Sequence, residues 1–176
     1  MSNYVIEGLE QPLYEYLACY VTVINKSKHK LLNADIVTNW GKYTVRPATN
    51  IESWPKVGHR IAFTMMGRAL ATSGCEGSVT YSVGDVGLGS VKFSYACPYS
   101  GDNQAVPTNN SLDLKLEVYA RISENYNWKA DGSNWGKEGQ VPIDGHPVSI
   151  LFVVYDLHPS PDTATADPES EGPESA

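Results

Sequence analysis

Hydrophobic and polar positions alternate along much of this chain. In 78–83 the apolar Val79, Tyr81 and Val83 interleave with Ser78, Thr80 and Ser82. In 91–96 Val91, Phe93 and Tyr95 interleave with Lys92, Ser94 and Ala96. The longest case sets Leu112, Leu114, Leu116, Val118 and Ala120 against Asp113, Lys115, Glu117, Tyr119 and Arg121. A period of two predicts strands with one face buried and one wet. The β-branched stretch 19–25 and the apolar run Arg60–Met66 predict two further strands. Segment 147–156 is apolar on both faces and predicts a central strand covered on two sides. No stretch carries a 3.6-residue apolar stripe.

Turn-forming clusters separate these runs: Gly84-Asp85, Gly87-Leu88-Gly89, the segment 98–103, and Asp131-Gly132-Ser133-Asn134. The pair 77–83 and 89–96, joined by a Gly-rich loop, predicts a β-hairpin. Short strands with turns between them point to an all-β sandwich or barrel in one domain, spanning 18–158. Residues 1–17 show no clear period and read as an N-terminal arm. Residues 159–176 hold four prolines and five acids with no Lys or Arg, too polar to bury themselves, and predict a disordered acidic tail.

That tail changes how the net charge of −7 is read. Without its five acids the remaining 158 residues carry 15 acids and 13 bases, a net of −2. A nearly neutral body without clustered Lys and Arg argues against nucleic acid as a partner and against attraction to anionic lipid as the main binding force. The longest apolar run, 150–155, is too short to span a bilayer as a helix. The N-terminus, with Glu7 and Glu10, lacks a secretory pattern, so the expected location is cytoplasmic or reached by non-classical secretion.

Catalytic constellations are missing. Cys19, Cys75 and Cys97 are odd in number and widely spaced, which argues against a disulfide framework and a zinc site. His29, His59, His146 and His158 show no metal-ligand spacing. Segment 67–74 is glycine-flanked but lacks the GK[ST] ending of a phosphate loop. Cys97 with His146 is the remaining nucleophile–base pairing, and it has no glycine elbow. The chain therefore reads as a binding protein and not an enzyme, with no cofactor. Its distinctive feature is aromatic residues beside turns: Trp40 before Gly-Lys, Trp54 before Pro55, Tyr99 after Cys-Pro, and Trp128 and Trp135 around an Asn/Gly-rich loop. Such rings either form a binding surface or pack at sandwich ends.

Three segments also occur in one order that resembles a family. Asn39-Trp40-Gly41-Lys42, then Gly67-Arg68 followed by Gly74-Cys75-Glu76-Gly77, then Phe93-Ser94-Tyr95-Ala96-Cys97-Pro98-Tyr99, resemble the aegerolysins. Fungal members read SWGK, a GR loop ending in EG, and FYWDCPW. Residues 76–83 also resemble the EGTIYYSI segment of a bacterial insecticidal member. The resemblance implies an aegerolysin or actinoporin-like β-sandwich that binds membrane lipid, either sphingomyelin with sterol or ceramide phosphoethanolamine. It also implies a perforin-like (MACPF) pore-forming partner and a role in a two-component cytolysin. By resemblance Trp40, Glu76, Tyr95 and Tyr99 are the lipid-binding residues, the last two standing where fungal members carry tryptophan. A carboxylate pairs with an ammonium headgroup, and aromatic rings anchor at the bilayer interface. Where fungal relatives have a Lys soon after the CPW motif, this chain reads Ser100-Gly101-Asp102-Asn103. The other class of function open to such a sandwich is glycan or protein binding without a lytic role.

Overall fold

The computed structural model describes residues 4–6, 9–11, 17–67, 74–84, 87–142 and 144–158. The acidic tail 159–176 and Arg68 lie outside the described residues. Within them the chain forms eleven strands and no helix. The strands are β1 (Tyr4–Ile6), β2 (Leu9–Gln11), β3 (Ala18–Asn25), β4 (Leu31–Trp40), β5 (Lys42–Val45), β6 (Arg60–Met66), β7 (Cys75–Val83), β8 (Ser90–Cys97), β9 (Gln104–Asn110), β10 (Leu114–Ile122) and β11 (Val148–Asp156). The short β1 and β2 pair as an antiparallel ribbon of their own within the N-terminal arm.

The remaining strands form two sheets, ordered β10-β11-β3-β6-β5 and β4-β7-β8-β9. All pairings are antiparallel except that of β11 with β3. The sheets pack face to face, and the period-two runs supply the core between them. Val79, Tyr81, Val83, Val91 and Phe93 come from the four-stranded sheet, and Val21, Val23, Phe63, Ile150, Phe152 and Val154 from the five-stranded one. Phe93 and Phe152 meet across the gap with ring centroids 4.8 Å apart. This is the all-β sandwich that the alternation predicts.

Strand β11 is central, as its double apolar character predicts, and its second face needs its own cover. Leu151 and Val153 of β11 join Ile24 and Tyr119 in a second cluster on the outer side of the five-stranded sheet. The 25 residues between β10 and β11 fold over that side and seat Trp128 and Trp135 on it. These two rings are 1% and 7% exposed, so they are packing residues and not surface anchors. The Asn/Gly-rich turn holds itself together. Asn134 Nδ2 donates to Asn127 O at 2.8 Å, Asn134 Oδ1 accepts from Lys129 N at 2.9 Å, and Trp135 Nε1 donates to Lys129 O at 2.6 Å.

Leu112 also departs from the sequence reading. It fits the alternation but is 92% exposed, and β10 begins only at Leu114. Asn109 sets this boundary: its Oδ1 accepts from Ser111 N at 2.9 Å and its Nδ2 donates to Leu114 O at 2.7 Å. The side chain closes the turn between the two sheets and leaves Leu112 at its tip.

At one end of the loops, buried Asn25 makes four hydrogen bonds. Its Nδ2 donates to His29 O and Glu52 O, and its Oδ1 accepts from Ser27 N and Ser27 Oγ.

Candidate functional site

The segment Asn39-Trp40-Gly41-Lys42 is the corner where the chain leaves one sheet for the other, β4 belonging to the four-stranded sheet and β5 to the five-stranded. Gly41 makes the corner with φ of 90°. A Cβ there would lie 2.5 Å from Met66 O and 2.9 Å from Cys75 Cβ, so no larger residue fits. With the backbone pressed inward at Gly41, the Trp40 ring on the preceding residue turns outward and is 57% exposed. Gly74, with φ of 71°, packs as closely against Cys97 O at the entry to β7.

Strand register then assembles the site. Trp40 pairs with Glu76, Glu76 with Ala96, and Ala96 with Gln104, forming one row across the outer face of the four-stranded sheet. The next row is Val37, Ser78, Ser94 and Val106. Val37, Trp40 and Val106 are exposed, with only small polar residues between them in that second row. Asn39 Nδ2 donates to Glu76 Oε1 at 2.9 Å, which orients the carboxylate beside the indole and leaves Oε2 unbonded by Asn39. Tyr99, 48% exposed, lies just past the end of β8 beyond Cys97, whose partner Cys75 adjoins Glu76. Its loop is held by buried Asn103, whose Nδ2 donates to Gly145 O at 2.7 Å.

Three of the four expected residues, Trp40, Glu76 and Tyr99, therefore gather at one end of this sheet. Tyr95 does not. Its side chain is 1% exposed and faces the core, 5.4 Å from the Phe63 ring centroid. Its hydroxyl shares a short hydrogen bond with Tyr43. Burial, reinforced by that bond, pushes the Tyr95 phenol far above its ordinary value, and burial also raises Tyr43. Tyr95 is a core residue here and is withdrawn from the candidate surface. The signal was in the sequence: Tyr95 shares parity with Val91 and Phe93, the buried side of β8.

The thiols behind this end meet although they are far apart in sequence. Cys19 Sγ and Cys75 Sγ are 3.6 Å apart, and Cys75 pairs with Cys97 across β7 and β8. All three are free and buried. Burial raises the Cys19 thiol and pushes that of Cys97 up to about 12, so Cys97 is no exposed nucleophile. Among the described residues no three His, Cys, Asp or Glu side chains are placed to hold a metal ion.

The fold is shared with proteins of known structure. The RahU protein, solved in complex with a TRIS molecule, superposes with a TM-score of 0.52 at 18% identity, covering 82% of this chain and 99% of that one. IP-1A from Alcaligenes faecalis gives 0.51 at 17% identity, with 82% and 94% covered. The lipid-binding protein Nakanori gives 0.52 at 12% identity, with 78% and 70% covered. The sandwich therefore shares its fold with these three proteins. Neither a protein-family model nor a curated protein matches the sequence.

Proposed function

We propose that this chain binds membrane lipid by resting the Trp40–Glu76–Tyr99 end of its four-stranded sheet on the bilayer surface. The observation that carries the reading is the pairing of an exposed indole with a carboxylate already oriented by Asn39. Trp40 and Tyr99 suit the interfacial layer, where a ring is half in hydrocarbon and half wet. Glu76 offers its free oxygen to a choline or ethanolamine ammonium, whose charge also attracts the indole face. Exposed Val37 and Val106 extend the apolar contact from the same face. The lipid-binding neighbour Nakanori shares this fold, which supports the reading.

The ligand class proposed is a sphingolipid headgroup, presented as sphingomyelin with sterol or as ceramide phosphoethanolamine. With a body of net charge −2, docking depends on which lipid is present more than on anionic charge. The chain acts as a docking subunit, and any pore is made by a larger MACPF-type partner. Peeling β11 out to cross a membrane would dismantle both hydrophobic clusters. The test is co-sedimentation with vesicles of sphingomyelin and cholesterol, of ceramide phosphoethanolamine, or of phosphatidylcholine alone, run beside dye release. Retention on a sphingolipid mixture without leakage, reduced in a folded Glu76→Gln, is the expected result. Equal retention on all three mixtures, or leakage by the chain alone, overturns it.

A further inference from the structure

The loop between β10 and β11 does more than cover the outer cluster. Together with the end of β10 it encloses an open groove of about 910 Å³, within the range of small-molecule sites. Arg121, Lys137, Gln140 and Asp144 line it, and Tyr126 and Trp135 also belong to the lining. The groove lies at the same end of the sandwich as Tyr99. Ile122, at its rim, pairs with Val148, which pairs with Cys19 beside Cys75. The Asn103 bond to Gly145 O ties the Tyr99 loop to the residue next to Asp144.

Two of the polar groups, Arg121 and Asp144, are held in place before any ligand arrives. The Arg121 guanidinium sits 4.7 Å from the Tyr126 ring centroid, and its Nη2 donates to Asn134 O at 3.1 Å. This fixes the plane of the fork and leaves most of its five donors for a ligand. Trp135 is clamped by Tyr119, with centroids 5.1 Å apart, and by its own bond to Lys129 O. Asp144 holds Gly145 N at 2.8 Å through Oδ1, so the carboxylate is also oriented.

We propose that this groove is a saccharide-binding site. The lining mixes donors, on Arg121 and Lys137, with an acceptor on Asp144 and both on Gln140. A phosphate carries little hydrogen to give Asp144, whereas vicinal sugar hydroxyls donate and accept at once and so satisfy the whole set. The apolar Ile122, Val141 and Pro142, also in the lining, match the C–H face of a sugar ring. The fixed Arg121 and Asp144 reduce the ordering cost of binding. The occupant is either a free oligosaccharide or the sugar head of a glycolipid, the latter compatible with the neighbouring docking end. The site stands apart from the lipid reading, because a free sugar needs no bilayer.

The test begins with an array of immobilised neutral and acidic oligosaccharides, followed by calorimetric titration of the best-bound one, free in solution. Arg121→Ala and Asp144→Asn should each weaken it about tenfold or more, the effect of losing a hydrogen bond to a charged group, with the melting temperature unchanged. Should Arg121→Ala lower the melting temperature, Arg121→Lys keeps the charge and loses the fork, and the same weakening is expected. Glycolipid-bearing vesicles retained better than plain phosphatidylcholine assign the sugar to a membrane. Retention no better than on phosphatidylcholine, with free sugar still bound, assigns it to a soluble or wall glycan. No binding anywhere on the array, or affinity unchanged in both variants, overturns the proposal.

Discussion

Replacing Trp40 and Tyr95 by alanine, one at a time, separates binding from packing at the candidate surface. Trp40 is 57% exposed, so of the roughly 250 Å² of a tryptophan only about 100 Å² is covered, worth at most ~2.5 kcal/mol. Trp40→Ala should therefore lose less than about 2.5 kcal/mol of folding stability. Tyr95→Ala empties a core position against Phe63 and leaves the Tyr43 hydroxyl without its partner, so the loss should be about 3–5 kcal/mol. For docking the order reverses. The uncovered part of Trp40 is about 140 Å², and burying half of it in the interfacial layer contributes ~1.8 kcal/mol, close to a 20-fold change in affinity. Tyr95 presents nothing to the bilayer, so Tyr95→Phe, which keeps the ring, should leave docking intact and cost stability only. Urea unfolding measures the first quantity and titration with sphingolipid vesicles the second. A folded Trp40→Ala that docks like the parent would falsify the reading of this end as the membrane contact. A Trp40→Ala loss equal to that of Tyr95→Ala would make Trp40 a packing residue instead.

Alkali should unfold the protein steeply. Burial raises Tyr95, Tyr81 and Cys97 in the folded state, so the native chain keeps protons that the unfolded chain releases. Their contribution is full below the unfolded values, near 9–10, and is lost above them at about 1.4 kcal/mol per pH unit for each group. The urea midpoint should hold to about pH 9 and fall by pH 11, and a flat profile would contradict this. The three thiols should react with a disulfide reagent only after denaturant is added, and fast labelling of the native protein would show that the core end opens. Asn25→Ala removes four hydrogen bonds from buried loop groups and should cost about 2–4 kcal/mol in urea unfolding. A loss under about 1 kcal/mol would mean that water takes over those bonds.

The strands with a buried face were legible because alternation is enforced by burial. β7 and β8 follow it closely, and β11 was legible by the opposite sign, an apolar run on both faces. The edge strands β4 and β9 were not legible. β4 is exposed along most of its length and is broken by register shifts between Leu32 and Asp35 and between Thr38 and Trp40. β9 carries Pro107 and three Asn or Gln, which read as a loop, yet Pro107 is tolerated on an edge. The site was half legible. Trp40 and Tyr99 were found because each adjoins a turn outside the regular pattern. Trp128 and Trp135 satisfied the same rule and proved to be buried. What distinguished them was a remote need: Leu151 and Val153 required a cover on the second face of β11, and only a long neighbouring loop could supply it. The groove beside that loop had no local signature, because Arg121 and Asp144 meet only after β10 and β11 pair.

The position of β11 has a consequence for how the protein comes into being. The last strand of the described body sits inside its sheet, between β10 and β3 and parallel to β3, with more than 120 residues of chain separating it from β3. Until that strand leaves the ribosome, β3 and β10 each offer a bare edge, and the outer aromatic rings have nothing to settle on. Closing so long a loop ahead of any reward makes folding slow, and a waiting edge invites pairing with the wrong chain. The nascent polypeptide therefore cannot build its core piecemeal from the N-terminus. It must be kept from aggregating until synthesis has passed Asp156, and only then does one step join β3 and β10 through β11 into a single sheet.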